Sequence, residues 1–502
     1  MKTKYTIISF LLLFTISCSD DLLNPSPTAS LSDNDVITDV VAAKTALMGA
    51  YALTGDYRYL TIYNISSDVM GQDLTMSSGA FSFPTYNWII YSYQYQQVPS
   101  DNPWWTGYCA YIWRYAYKAI DQANTIIANA ETIKPEGAEK EDIIAQAYGV
   151  RAYNFLVLTQ LFSRAYNDQP DSKGIILRLI PGSTDEASNL PRATVRQSYE
   201  RIIEDLTYVY EHGTATDVQY INKKGAALLL ARVYLSINDY TNAEKYASIA
   251  LDNTYDGSNL MSQDEYRSGF KDHNQEWLWY FNFNANTSNL YASIPSFYWL
   301  CKQFKGYAYG DKINPDDVLN ADIAEELLDG YSTVRASFSF RNMFEDADCR
   351  KLFPGYLSED DGFFIAKFGH RSRIGDAEFP FCRVAEGYLI KAEAELYRQG
   401  GSSALAKEVL NKLQIARGAT PTAATPTIDD IWKERRKELY GEGFAIHDIK
   451  RLQKPLQRTG NDQWADVKTL SANSERFMFP IPNTELLYNK ALTAADQNEY
   501  WQ

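Results

Sequence analysis

A single cysteine closes the apolar segment near the N-terminus of this 502-residue chain. Lys2 and Lys4 precede the segment, residues 7–16 are almost entirely apolar, and Cys18 follows Ser17. This layout is typical of a secretory signal, and the apolar run is too short to span a bilayer as a helix. Cys18 therefore either leaves with the signal or becomes a new N-terminus that is available for acylation.

The residues around the expected cleavage point favour the second outcome. Thr15-Ile16-Ser17-Cys18 resembles the bacterial lipobox, in which the cysteine is kept and lipidated. Each buried CH₂ of an acyl chain contributes about 0.8 kcal/mol, so a multiply acylated cysteine holds a protein firmly on a membrane. Residues 19–35 are rich in Ser, Pro, Asn and Asp and predict a flexible tether. The alternative is an ordinary signal peptide, residues 1–17, with a coincidental cysteine after it.

Aromatic residues form a second group of candidate functional residues. The chain contains 37 Tyr, 10 Trp and 23 Phe, and two irregular segments, at about 75–106 and 286–312, are rich in them. A flat ring can meet the apolar C–H face of a sugar while polar neighbours meet its hydroxyls. We therefore predict a ligand platform from four residues, of which only one of the adjacent tryptophans 104 and 105 is expected to face the ligand. These four are Trp104, Trp105, Tyr298 and Trp299. The alternative is that these rings close the core.

Composition limits the other classes of function. The formal net charge is -15 and no strong basic run is present, which argues against nucleic-acid binding. The remaining cysteines are widely separated, without CxxC or zinc spacing, so no metal or cofactor is predicted. They are Cys109, Cys301, Cys349 and Cys382. We expect isolated buried thiols, with disulfide pairing as the alternative.

The elements that must position these residues are mostly helical. Apolar residues recur at helical spacing in four segments, at about 40–53, 108–130, 142–162 and 195–210. The stretch "EWLWYFNFNANTSN" has the aromatic texture of a short strand or hairpin. The predicted fold class is mainly α, with long irregular loops and a few short strands.

Two further segments resemble the tetratricopeptide repeat, a helix pair with a 34-residue period. Small residues at fixed spacing would let the paired helices approach closely, and Tyr234 would fill the gap beside them. The matching residues are Ala231, Tyr234, Ala243 and Ala250 in one copy, and Ala394, Tyr397, Ala406 and Leu413 in the other. We place repeat-like helix pairs at about 142–252 and 385–416.

The stretch "IWKERRKELYGEGFAIHDIKR" predicts a helix from Ile431 to Tyr440 that ends at Gly441 and Gly443. Its charged residues are placed to form a partly buried ionic network, which is a structural role. They are Glu434, Arg435, Glu442, Asp448 and Arg451.

The same stretch resembles the motif of the SusD/RagB family of surface nutrient-binding lipoproteins. The matching positions are Ile431, Glu434, Arg435, Glu438, Leu439, Glu442, Gly443, Asp448, Ile449 and Arg451. Ala445 stands where the family usually has arginine, which puts the completeness of the ionic network in doubt. The ending "FMFPIPNTELLYNKALTAADQNEYW" and the early "IWRYAYKAIDQANTII" also resemble the family, so the resemblance runs from residue 18 to 502.

This resemblance implies a fold, a location and a partner. Residues 36–502 would form one helical domain, tethered through residues 18–35 to the outer surface of the outer membrane. The protein would capture oligosaccharide and deliver it to a SusC-like TonB-dependent transporter. Its contact with the membrane would be the lipid anchor alone, and it would not be an enzyme.

Three alternatives remain open from the sequence. Members of some branches of the family bind peptides. A surface glycoside hydrolase needs only two well-placed carboxylates, although the chain has no HExxH, GxSxG, GxGxxG or P-loop motif. A lipoprotein scaffold would bind proteins through its repeats, but it gives no role to the long aromatic segments.

The lipobox generates a direct test. We expect mass spectrometry of the native protein to find an N-terminus at Cys18 that carries acyl mass. Cys18→Ala should release the protein from the membrane without unfolding it, because the tether contributes no identifiable core residues. An unmodified N-terminus at any other residue would exclude the anchor.

Overall fold

The structure is a computed structural model that describes residues 37–77, 90–93, 108–284, 294–298, 333–356, 360, 362–371 and 376–502. The signal, Cys18 and the tether lie outside these residues. The part from Ile37 to Gln502 forms one compact unit. Within the described residues, no helix is both long enough and apolar enough to cross a membrane.

Helices dominate the first half of the described chain. In order they are α1 (Val40–Thr54), α2 (Tyr57–Val69), α3 (Tyr108–Ala128), α4 (Ala138–Phe162), α5 (Asp185–Ser188), α6 (Val195–His212), α7 (Lys223–Ser236), α8 (Tyr240–Ala250) and α9 (Gln263–Arg267). Polar side chains cap their first turns: Asp39 accepts the N–H of Ala42, and Thr194 forms a capping box with Gln197. The four predicted amphipathic segments are confirmed as α1, α3, α4 and α6.

The second half alternates helices with short strands. Its helices are α10 (Ile294–Tyr298), α11 (Phe338–Arg341), α12 (Val384–Arg398), α13 (Ala404–Ala416), α14 (Ile428–Leu439), α15 (Ala445–Arg451) and α16 (Asn483–Tyr488). The strands are β1 (Leu74–Met76), β2 (Trp277–Phe283), β3 (Val334–Ala336), β4 (Ala377–Arg383), β5 (Leu456–Gln457) and β6 (Thr469–Leu470). They pair antiparallel as β1–β3, β2–β4 and β5–β6. The strand predicted near residue 280 is therefore confirmed as β2, with β4 as its distant partner.

The two segments that resemble tetratricopeptide repeats form the helix pairs α7–α8 and α12–α13. Their small residues are buried between the helices, as expected: Ala231, Ala243, Ala250, Ala394 and Ala406. Asn238 and Gly400 make the turns with left-handed backbone, at φ 63° and 67°. Because α8 packs on α12, the two pairs stack on each other.

The tyrosines of these repeats lie on their outer surface. Tyr234 is half-buried and stacks on Tyr246, with ring centroids 5.6 Å apart. Tyr397 is 38% exposed and stacks on Tyr240 at 4.3 Å. Tyr246 lies on α8, so the ring of Tyr234 on α7 fills the space beside the closely packed helices, as predicted.

A buried network of balanced charge joins the C-terminal half of the fold. Glu438 lies at its centre: Arg383 donates to its Oε1 at 2.6 Å, Arg417 donates to the same atom at 3.0 Å, and Arg350 donates to Oε2 at 3.1 Å. The complete network consists of five cations and five anions, namely Arg350, Lys367, Arg383, Arg417 and Lys437 with Glu276, Asp348, Glu434, Glu438 and Glu442. Burial acts to raise the pKa of Glu438, but the three guanidinium groups dominate and hold that pKa well below its usual range.

The remaining motif residues form a second cluster. Asp448 accepts from Arg435 at 3.0 Å and from Arg451 at 2.7 Å, and Arg451 also donates to Glu393 at 2.9 Å. The predicted network is thus two clusters: one holds Glu434, Glu438 and Glu442, and the other holds Arg435, Asp448 and Arg451. Most partners of the first cluster come from outside the motif, between residues 276 and 417.

Ala445 leaves neither cluster incomplete, which removes the doubt raised by the missing arginine. A Cβ placed on Gly71 would lie 2.7 Å from the Cβ of Ala445, so the end of α2 and the start of α15 touch almost directly. At the same junction, Asp68 accepts the backbone N–H groups of Gly443, Phe444 and Ala445 at 3.0, 3.0 and 3.1 Å. A longer side chain at 445 would push α15 away from these contacts.

The network predicts an unusually costly single substitution. Glu438→Gln keeps the side-chain size but leaves three buried guanidinium groups without their shared anion. We expect the free energy of unfolding to fall by about 3–5 kcal/mol, measured by denaturant titration. Glu408→Gln, on the exposed face of α13, is the matched control and should change it by no more than about 0.5 kcal/mol. Equal stability of the two variants would contradict the central role of Glu438.

Candidate functional site

The four aromatic residues predicted to contact ligand have different outcomes. Trp104, Trp105 and Trp299 lie outside the described residues, and their role stays a prediction. Tyr298, at the end of α10, is fully buried, with its ring centroid 5.1 Å from that of Phe368 and its hydroxyl 3.5 Å from Oδ1 of Asn64. The exposed position predicted for Tyr298 is therefore wrong, because its ring fills the interior between α2 and the 362–371 segment.

The first aromatic-rich segment begins in a strand that pairs with a distant part of the chain. β1 pairs with β3 over three residues, and the N–H of Ser77 extends this ladder by donating to the carbonyl of Thr333 at 2.8 Å. Ser77 is the last described residue before residues 78–89, and Thr333 is the first after residues 299–332. Segments that are distant in sequence therefore share one base, which we call the loop base (β1, β3, Ser77 and Thr333).

Tyrosine hydroxyls hold residues 90–93 beside the loop base. The hydroxyl of Tyr91 donates to Oε1 of Gln463 at 2.8 Å and lies 3.0 Å from Oγ1 of Thr75 on β1. The hydroxyl of Tyr93 donates to the carbonyl of Met70. Burial raises the pKa of both tyrosines, so both hydroxyls remain protonated donors. Residues 90–93, which lie between residues 78–89 and 94–107 in the sequence, are thus held against the scaffold.

The motif helix α14 supports the loop base directly. Nε of Arg436 donates to Oδ2 of Asp73 at 2.9 Å, and Asp73 immediately precedes β1. The carbonyl of Asp73 in turn accepts the N–H of Ser337, which follows β3, at 2.8 Å. The residue after that, Phe338, donates its N–H to Oδ2 of Asp462 at 2.8 Å. The loop base is therefore tied to the same helix that carries Glu438.

A cleft of about 770 Å³ opens between α3, the loop at residues 178–188 and α16. Trp113 and Tyr117 of α3 form its floor and are almost fully buried. Arg114 and Lys118 on the same helix are exposed at its rim, and Tyr488 of α16, 75% exposed, stands opposite. Its volume is in the range of small-molecule binding sites. We call it the α3–α16 cleft.

The floor of this cleft is rigid because its polar groups are bonded to one another. Glu485 accepts from Nε1 of Trp113 at 3.0 Å, from Nη2 of Arg178 at 2.7 Å and from Nδ2 of Asn489 at 3.0 Å. The hydroxyl of Tyr117 donates to the carbonyl of Ile176 at 2.8 Å. The guanidinium carbon of Arg178 lies 4.9 Å from the ring centroid of Tyr117. The floor is therefore pre-organised, with the Glu485 carboxylate paired to Arg178.

Sequence reasoning did not identify this cleft. The signal was present in "YCAYIWRYAYKAI", where aromatic and basic residues recur at helical spacing along α3. The opposite wall comes from residues 482–489, which are more than 350 positions away. No local sequence pattern indicates that α3 and residues 482–489 line the same cleft.

The described cysteines are buried, and the described residues form no metal-binding cluster. Cys109, Cys349 and Cys382 are free and buried, and burial raises the pKa of Cys349 and of Cys382 to about 12. Cys301 lies outside the described residues. In the described ranges, no group of three or more His, Cys, Asp or Glu residues is arranged to hold a metal ion.

The described residues form a mainly helical scaffold with tetratricopeptide-like helix pairs, short strand pairs and an open cleft. Two family models match it. One, described as "Starch-binding associating with outer membrane", matches residues 60–235, and the other, described as "SusD family", matches residues 355–501. With the motif at 431–451, these matches show that the chain belongs to the SusD/RagB family.

Individual relatives agree over nearly the whole chain. SusD-like protein P2 of Formosa agariphila is 24% identical, over 97% of this chain and 98% of its own length. The crystal structure of a SusD-like carbohydrate binding protein from Bacteroides vulgatus has a TM-score of 0.75 and 23% identity, covering 92% of this chain and 99% of that one. A laminarin binding SusD-like protein has a TM-score of 0.69 and 18% identity, covering 92% and 99%. At these identities the structural matches establish the fold.

Proposed function

We propose that this protein binds glycans at the cell surface and passes oligosaccharides to a SusC-like TonB-dependent transporter of the outer membrane. The single observation that carries the proposal is the loop base, in which the strand that opens the first aromatic-rich segment (β1) pairs with the strand that follows residues 299–332 (β3). The family description names starch binding and association with the outer membrane, and two of the relatives are named for carbohydrate or laminarin binding.

The chemistry of the segments suits sugars. Trp104 and Trp105 follow Pro103, which restricts the backbone, and stand beside Asp101 and Asn102 in the sequence. Aromatic faces with neighbouring polar groups match the apolar face and the hydroxyl edge of a pyranose ring. Trp299 belongs to the second segment and completes the proposed platform. Ligand identity would then be set by the variable segments, while the scaffold holds them in position.

The same proposal accounts for the N-terminus. A lipidated Cys18 would hold the protein on the outer membrane, and the tether at residues 19–35 would let it move relative to the transporter as a lid. Association by lipid anchor needs no membrane-crossing helix. Delivery, as opposed to storage or hydrolysis of the glycan, requires that the bound oligosaccharide be released unchanged.

The platform can be tested with the lipid-free protein and a panel of neutral and acidic oligosaccharides that includes laminarin fragments. Trp104→Ala, Trp105→Ala and Trp299→Ala are tested separately by calorimetry. We expect one of the adjacent pair, and Trp299, to lose about 1–3 kcal/mol of affinity with little change in melting temperature. Tyr298→Ala is the contrasting variant: as a buried ring it should lose about 3–5 kcal/mol of stability.

Two results would overturn the platform or the function. If all three tryptophan variants bind a confirmed glycan as the parent does, the platform lies elsewhere. If the protein hydrolyses the glycan, the binding-and-delivery function is replaced by that of a surface glycoside hydrolase. If it captures peptides and no sugars, its ligand class is peptide.

The partnership has its own test. Purification of the native protein from outer membranes in mild detergent should bring down a large β-barrel protein in a defined ratio. The Cys18→Ala variant controls for contacts that depend on the anchor alone. Consistent recovery of the anchored protein without any barrel would exclude a stable transporter complex.

A further inference from the structure

Two cations on the rim of the α3–α16 cleft have no carboxylate partner. Arg114 and Lys118 are exposed and form no ion pair with any described residue. They are four residues apart on α3, so they face the same side of the helix. The chain has a net charge of -15, and most described arginines of the interior pair with carboxylates. Two neighbouring cations without an ion-pair partner beside a cleft are therefore available to bind an anionic ligand.

Aromatic rings hold both cations in place. Tyr111 and Tyr115 stack with their centroids 4.3 Å apart and an interplanar angle of 13°. The guanidinium carbon of Arg114 lies 5.6 Å from the centroid of Tyr111, and Nζ of Lys118 lies 5.5 Å from that of Tyr115. These cation–π contacts restrict the long side chains before any ligand arrives, which lowers the entropic cost of binding.

The cations that line the cleft outnumber its carboxylates: Arg114, Lys118 and Arg178 lie with Glu485 and Asp121. Glu485 accepts three hydrogen bonds, one of them from the Arg178 guanidinium, as described above. Oδ1 of Asp121 accepts the N–H of Gly182 at 2.8 Å. Glu485 is paired with Arg178, and the lining as a whole carries one more positive than negative charge.

The cleft also offers surfaces for the rest of a sugar chain. The ring of Tyr488 is 75% exposed on the wall opposite Arg114, and Gln122 and Thr484 provide polar side chains on the two walls. An oligosaccharide would thus find an aromatic face, hydrogen-bonding groups and two cations along one cleft.

We propose that the α3–α16 cleft binds an acidic oligosaccharide, whose carboxylate or sulfate groups pair with Arg114 and Lys118. The inference rests on the proposed glycan-binding function and specifies its ligand class. Carboxylate and sulfate share the anionic chemistry that the two cations recognise. Guanidinium forms bidentate pairs with either group, and the ammonium group contributes a point charge.

The test uses the lipid-free protein and three defined probes: oligogalacturonate for carboxylate, carrageenan oligosaccharide for sulfate, and laminarin oligosaccharide as the neutral sugar. The variant Arg114→Gln/Lys118→Gln is compared with Lys245→Gln/Lys433→Gln. The control removes the same charge from exposed lysines elsewhere, one of which also lies over a tyrosine ring. Affinity is measured by calorimetry at 50 and 500 mM NaCl, with the melting temperature recorded for each variant.

We expect at least one acidic probe to bind the parent, and to bind the Arg114→Gln/Lys118→Gln variant about tenfold or more weakly. Higher salt should weaken binding to the parent more than to this variant. The control should bind as the parent does, and Arg114→Lys, which keeps the charge, should retain most of the affinity. The acidic probe that binds more tightly identifies the anionic group.

The failures can be told apart. Binding of the neutral probe alone, or acidic binding that is unchanged in Arg114→Gln/Lys118→Gln, overturns the acidic-ligand site and leaves the glycan-binding function standing. An equal loss of affinity in the control variant would show that the effect comes from the net charge of the protein, and it would also overturn the site. Failure of all glycans in a wider panel overturns the proposed function and this inference with it.

Discussion

Burial of a balanced charge network is the constraint on which the rest of the structure depends. Glu438 lies inside the protein among Arg350, Arg383 and Arg417, each of which comes from a different part of the chain. Removing such charges from water is costly, and the cost is recovered only if every partner is present in good geometry. The end of β4, the end of α13 and the segment after α11 must therefore all meet α14 in one arrangement. Hydrophobic burial alone is less selective, since apolar side chains can pack in more than one way.

The network positions surfaces that it does not touch. α14 carries Glu438 on one side and reaches Asp73 through Arg436 on another, which ties the loop base to the most constrained part of the fold. The stacked helix pairs extend the scaffold toward α3, whose outer side forms a wall of the cleft. The scaffold can thus stay constant while the attached segments vary, an arrangement that suits a protein whose ligand is chosen by its loops.

Several residues show where predictions from the local sequence pattern differ from the tertiary structure. Tyr298 belongs to an aromatic-rich stretch that looks like an exposed platform, yet its ring lies against Phe368 in the interior. Ala445 departs from the family motif, yet Glu438 keeps its three arginine partners and Asp448 keeps Arg435 and Arg451. Sequence identifies residue types well, but the direction in which a side chain points depends on what packs against it.

By itself, the sequence determined the helical segments, the two repeat-like pairs, the strand at β2, the helix with Glu438 and the family, since each depends on contacts between residues close in the chain or on a contiguous motif. It also predicted that the motif charges form buried ion pairs, as Glu438 and Asp448 do. Only the tertiary structure decided that the network needs Arg350, Arg383 and Arg417, that β1 pairs with β3, and that α3 faces α16 across a cleft. These facts join residues separated by tens to hundreds of positions. Helical and strand periodicity report which face of an element is apolar, but they carry no information about which distant element covers it.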